Sequence, residues 1–181
     1  KIYQVDAFAS DIFTGNPAAV VPLESWLSDA LMQSIAMENN LSETAFFVRT
    51  QDGYDIRWFT PVDEVDLCGH ATLGSAFVIF NRLGYDTDQI TFNSRSGDLI
   101  VRKNDDKIIM DFPSQPPEEV PMPQQIKDAF HIRPIECAES EDYIVLFESA
   151  SDIKSLDPDL EPLKDIGLRG VIATARGDAP Y

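Results

Sequence analysis

Three short segments set reactive side chains among small or turn-forming residues, and each suggests a chemistry. Leu41-Ser42-Glu43-Thr44 places a carboxylate between two hydroxyls, where a helix gives way to a strand. Partial burial at such a junction tunes a carboxylate as a proton shuttle. The competing reading of Glu43 is a solvated acid, one of 31 in the chain. Cys68-Gly69-His70 stands at the entry to a long apolar run. If that run is a helix, its free amides and dipole favour an anion, and Gly69 lets a ligand come close to the backbone. The same position lowers a thiol pKa, which would make Cys68 a base or nucleophile. His70 would then donate to a carboxylate or exchange a proton. Alternatively, Cys68 is a small buried hydrophobe and His70 a cap partner. In Gly15-Asn16-Pro17, the Asn16 amide either orients a substrate or caps its own turn.

Other chemistries find no support. Cys68, His70, His131 and Cys137 lack the paired short spacings of a structural zinc site, so no metal is expected. Gly69 and Gly74 have phosphate-loop spacing, but no Lys-Ser/Thr follows. There is no Gly-x-Ser-x-Gly nucleophile elbow.

The elements that must position these residues are legible in outline. Residues 2–8 and 18–23 read as strands separated by the turn formers around Gly15. Ser28 is an N-cap, after which Leu31, Met32, Ile35 and Ala36 share one helical face up to a stop at Asn39-Asn40. Residues 44–49 and 54–59 form a hairpin about Asp52-Gly53, and residues 60–66 form a polar loop. From Cys68 to Phe80 the chain is apolar nearly all round. That predicts a buried helix, closed by Gly84 at C′, whose Gly74-Ser75-Ala76 allows close packing. Strands are expected at 90–92, 99–102 and 107–112.

Five of the 12 prolines fall in residues 113–123. A stretch lacking so many backbone donors should not join a sheet, so it is read as an extended linker. The domains are therefore placed at 1–112 and 124–181. The second is expected to contain helices at 124–130 and 160–166 and strands at 142–148 and 171–175. A weak echo links the two domains. Leu27-Ser-Asp-Ala-Leu31, a helix, a strand and Asp52-Gly53 correspond to Leu156-Asp-Pro-Asp-Leu160, a helix, a strand and Gly177-Asp178.

Composition narrows the partners. With 14 basic and 31 acidic residues the net charge is −17, which repels phosphate backbones and anionic membranes alike. No nucleic acid and no membrane partner is expected. A hydrophobic share of 44% permits a folded core. Two cysteines make no disulfide framework, which points to a cytoplasmic protein.

Read together, the blocks resemble the PhzF family of phenazine-biosynthesis-like isomerases and epimerases. They run in order: Asp6-Ala-Phe, Phe13-Thr-Gly-Asn-Pro-Ala-Ala-Val-Val, Leu31-Met-Gln-Ser-Ile-Ala-Met-Glu-Asn-Asn-Leu-Ser-Glu-Thr-Ala-Phe, Arg57-Trp-Phe-Thr-Pro, Leu67-Cys-Gly-His-Ala-Thr-Leu-Gly-Ser-Ala, Ser94-Arg-Ser-Gly-Asp-Leu and Met110-Asp-Phe-Pro. The resemblance implies an α+β, diaminopimelate epimerase-like fold. That fold has two pseudo-symmetric domains, each a curved, mostly antiparallel sheet around a central helix, with the site between them. It implies Glu43 as the acid/base that moves a proton, and Gly69 and His70 as substrate binders. Cys68 falls where epimerase relatives carry a catalytic cysteine. It also implies no cofactor, a small carboxylate-bearing substrate in a biosynthetic pathway, and a possible homodimer.

The family's late Asp-Pro-x-Thr-Gly-Ser block has no match here, and the chain starts at Lys1 without Met. The expectation is an N-terminal domain plus the first part of a C-terminal one, ending at Ala179-Pro180-Tyr181 before the second central helix, and an isomerase in its complete form rather than in these 181 residues alone. The alternative function is a non-catalytic binding or interaction module on the same fold.

Overall fold

A computed structural model of the chain describes residues 1–11 and 13–177. Asp178 of the echo and the closing Ala179-Pro180-Tyr181 lie outside the described residues. The chain divides between Pro113 and Ser114 into two compact units.

In the first unit, β1 (Tyr3–Ala7), β2 (Asn16–Leu23), β3 (Glu43–Arg49) and β4 (Tyr54–Phe59) lie side by side. The sheet continues through β6 (Gln89–Ser94), β7 (Gly97–Asn104) and β8 (Lys107–Asp111). The short β5 (Glu64–Val65) pairs with β4, inside the stretch read as an unbroken polar loop. Pairing is antiparallel except for β2 with β3 and β4 with β6.

The curled sheet encloses α2 (Gly69–Arg82), which packs on β1, β2, β3 and β8. Alternation decides what each strand gives to that core. From β4, Tyr54, Ile56 and Trp58 face α2, while Phe59 joins a second cluster under α1 (Asp29–Asn39). Phe47, Tyr54 and Phe92 meet across three strands, with ring centroids 5.3 and 6.0 Å apart.

The helix signals hold locally. The Ser28 hydroxyl accepts from the Leu31 amide, and Asn40 ends α1 in the left-handed region at φ 50°. Met32 and Ala36 are buried, but Leu31 is 47% exposed, because it stands at the margin of the apolar stripe in the first turn. Gly84, at φ 68°, follows α2 as expected. Gly74 faces Val5 and Val20, which an added Cβ would meet at an ordinary 3.5 Å. Phe77 escapes burial on the side where the sheet edges β1 and β8 do not meet.

Gly53 has a second role beyond its turn. A Cβ there would lie 2.2 Å from the Thr91 carbonyl oxygen, so the glycine lets the β3–β4 turn abut β6 where the parallel pairing begins. Gly53→Ala is expected to force the two backbones apart and cost about 1–3 kcal/mol, read as a lowered thermal midpoint.

The second unit carries a four-stranded sheet ordered β12 (Val171–Ala175), β11 (Tyr143–Phe147), β10 (Glu136–Glu139) and β9 (Glu118–Glu119). Helices α3 (Gln124–Ala129) and α4 (Ala150–Lys154) accompany it. The proline-rich stretch does join a sheet, contrary to expectation. Glu118, Glu119 and Val120 retain their amides between the proline pairs, β9 registers on β10, and the Val120 amide donates to the Cys137 carbonyl. The helix expected at 160–166 is a single 3₁₀ turn, Pro162–Asp165, since Pro162 can open a helical turn but cannot donate within one. The strand β10 and the helix α4, capped by a Ser149–Asp152 capping box, were not anticipated. Among the described residues no helix is long and apolar enough to cross a membrane.

Candidate active site

Two elements bring the chemistry together. Glu43 is the first residue of β3, and its register partner on β2 is Ala18. Period-two alternation puts Glu43 on the face of Ala45 and Phe47, towards α2. The flanking hydroxyls do not share that face. Thr44 is fully buried on the opposite side, where its hydroxyl accepts from the Asn39 amide at 3.1 Å, and Ser42 is exposed. The two hydroxyls that flank Glu43 in sequence are thus turned away from it by the pleat of the strand.

The N-terminus of α2 supplies the rest. Cys68 is its N-cap, Gly69 its first residue, and His70 lies in its first turn. The His70 Nε2 stands 3.3 Å from Glu43 Oε2, with the two side chains 10% and 20% exposed. On the other side of the ring, Nδ1 lies 3.4 Å from the Cys68 Sγ. Carboxylate, imidazole and thiol thus form a compact cluster, one ligand atom from each lying within 4.8 Å of the others. Glu43 Oε2 and His70 Nε2 are both buried, yet they are not aligned as a hydrogen bond, and neither atom has a hydrogen-bond partner among the described residues. Each keeps capacity for a ligand.

Of the two readings of Cys68, its surroundings fit the small buried hydrophobe and not the thiolate. Burial pushes its thiol from the ordinary 9.0 up to about 12, and the Glu43 charge adds to this, outweighing the Ala71 and His70 amides. Helix position alone misleads here because the side chain is 7% exposed. Burial also raises Cys137, with Glu139 reinforcing it. Because the folded form holds its proton more tightly, the Cys68 thiol adds stability that is intact below about pH 9 and lost as pH rises towards 12. Alkylation by iodoacetamide at pH 8 should accordingly be slow in the native protein and fast for both thiols in denaturant.

Gly69 faces the Phe112 ring, which a Cβ would meet at an ordinary 3.6 Å. Asn16 is exposed at the start of β2, two residues before Ala18, hence on the same sheet face and about 7 Å along from the Glu43 neighbour. It is not part of the cluster formed by the other three side chains.

The residues that fix the loop before Cys68 were not singled out as positioning groups. Arg57 makes a two-pronged bond to Glu64, 2.7 Å at each nitrogen, and reaches Asp29 at 2.8 Å. It also lies over the rings of Trp26 and Phe59. Arg95 binds the same Glu64 at 2.6 Å, and the Ser96 hydroxyl donates to the Asp66 carbonyl. This ties residues 64–66 from two sides. The available signal was the charged residue at each end, Arg57 and Glu64, but their pairing needs the β4–β5 register.

The α+β architecture, a curled sheet around a central helix, is the diaminopimelate epimerase-like fold. A predicted epimerase of Pseudomonas aeruginosa, 23% identical, shares that fold with a TM-score of 0.69. The family is resolved by closer matches. Residues 5–179 match the PhzC-PhzF model, described as phenazine biosynthesis-like protein. A second Pseudomonas aeruginosa protein, named an uncharacterized isomerase, is 48% identical over 97% of this chain and 68% of its own length. The crystal structure of a PhzF-family phenazine biosynthesis protein from Enterococcus faecalis is 44% identical, with a TM-score of 0.90 over 98% of this chain and 69% of that one. The chain belongs to the PhzF family and is classed with its isomerases.

Proposed function

We propose that this protein is a cofactor-independent isomerase that moves a proton within a small carboxylate-bearing substrate. The observation that supports this reading is the Glu43–His70 pair, two buried and unpartnered polar atoms 3.3 Å apart at the start of α2. Glu43 takes an acidic C–H proton and returns it at another position or face. Gly69 and His70, with the first amides of α2, hold the substrate carboxylate and steady the enolate-like charge that develops. Asn16 orients the far end of the substrate from the neighbouring strand. Cys68 remains a neutral thiol beside Glu43 and His70 and takes no proton from carbon.

The test is solvent exchange. Incubated in D₂O with a panel of small carboxylic acids, the protein should place deuterium in at least one acid, seen as loss of a proton NMR signal. Ligand-induced thermal stabilisation with no deuterium entering any acid would favour the binding-module reading.

A further inference from the structure

The cluster of Glu43, Cys68 and His70 presents an oxygen, a sulfur and a nitrogen donor within 4.8 Å of one another, and it is the one such group among the described residues. We propose that this cluster captures a single thiophilic divalent cation, of the Zn²⁺ or Cd²⁺ kind, and that the captured ion occupies Glu43. The inference goes beyond the isomerase reading, which needs no metal.

Geometry carries it first. Tetrahedral coordination at ordinary zinc bond lengths separates neighbouring donors by about 3.3–3.7 Å. Sulfur lies 3.4 Å from Nδ1 and Oε2 lies 3.3 Å from Nε2, and one ligand atom from each residue lies within 4.8 Å of the others. One imidazole nitrogen serves as ligand, so only the third donor has to close in. Three protein donors leave a fourth position for water, which makes the site open and exchangeable.

Unmet valence is the second support. Glu43 Oε2 and His70 Nε2 are buried without a hydrogen-bond partner, and the His70 side chain is nine-tenths buried. A cation satisfies what neighbouring side chains do not. Charge is the third. A thiolate beside the Glu43 carboxylate is unfavourable by itself, but a double positive charge reverses that balance. On binding, the Cys68 S–H bond breaks, its proton leaves to solvent, and the sulfur lone pair goes to the metal. One thiolate and one carboxylate then neutralise the ion, and nothing is oxidised or reduced.

A reading built on Cys and His spacing misses this set. Its third donor lies 25 positions before Cys68 in sequence and arrives through the β2–β3 pairing. Once coordinated, the Glu43 lone pairs are no longer available to a substrate proton.

The experiment is a Cd²⁺ titration of the whole chain, following the ultraviolet thiolate-to-metal charge-transfer band together with calorimetric stoichiometry. One ion per chain is expected. Cys137→Ser should keep the band, Cys68→Ser should remove it, and Glu43→Gln and His70→Gln should each weaken binding at least tenfold. A band that survives Cys68→Ser, or affinity unchanged in both Glu43→Gln and His70→Gln, would overturn the proposal. Should Cys68→Ser fail to fold, the other three variants still decide it. Failure of Cd²⁺ to bind leaves deuterium exchange untouched, whereas absent exchange with intact Cd²⁺ binding counts against the isomerase reading alone.

Discussion

Glu43→Gln is expected to cut deuterium transfer into a responsive carboxylic acid by roughly 10²–10⁴-fold, the usual contribution of a positioned acid/base. The substitution keeps the size and hydrogen-bonding capacity of the side chain and removes only its ability to take a proton. Because Glu43 opens β3 and is half-buried rather than packed in the core, the fold should tolerate the change. Full exchange in Glu43→Gln would show that another group is the base. His70→Gln provides the contrast. It leaves the carboxylate in place but removes the ring 3.3 Å away, so its main effect should fall on substrate affinity.

Trp58→Ala is expected to destabilise the protein by about 3–5 kcal/mol, the cost of emptying an aromatic site in a packed core. Against a typical total of about 5–15 kcal/mol, that is a large share of the stability of a single domain. Trp58 is among the largest fully buried side chains and sits in the same cluster as Ala45, Cys68 and Ala71. Its strand partner is Ala45, two residues beyond Glu43. The cavity would therefore open directly behind the site. The Trp58 Nε1 is itself buried without a partner, so Trp58→Phe removes an unsatisfied donor along with part of the ring and should cost less. Urea unfolding at constant m-value would separate the two variants. A Trp58→Ala midpoint equal to wild type would contradict the assigned core.

Much of this could be read along the chain, since local physics was enough. Ser28 announced a helix because its hydroxyl has an amide three residues on to satisfy, and Asn40 and Gly84 marked stops because a left-handed residue closes a helix. Residues 54–59 announced a half-buried strand through simple alternation, and 68–80 a buried helix through apolar composition. The second unit was harder. Its strand β9 is two residues long and lies among prolines, and its 3₁₀ turn begins with one, so both depend on partners distant in sequence. Leu31 and Phe77 matched apolar patterns yet are exposed, because a pattern names a face but not what covers it.

For the site, residue types alone nominated Glu43, Cys68, Gly69, His70 and Asn16, because a carboxylate at a strand entry and a Cys-Gly-His at a helix start each have recognisable chemistry. Sequence determined which groups were candidates. Their relations were decided by tertiary structure: β3 pleats Thr44 and Ser42 away from Glu43, and α2 inside the curled sheet brings His70 to that carboxylate. Burial then keeps the Cys68 thiol protonated where its helix position argued for a thiolate. The physical reason is range. Caps, turns and alternation act over a few residues, whereas distance between side chains and loss of solvent exist only once the sheet has closed around its helix.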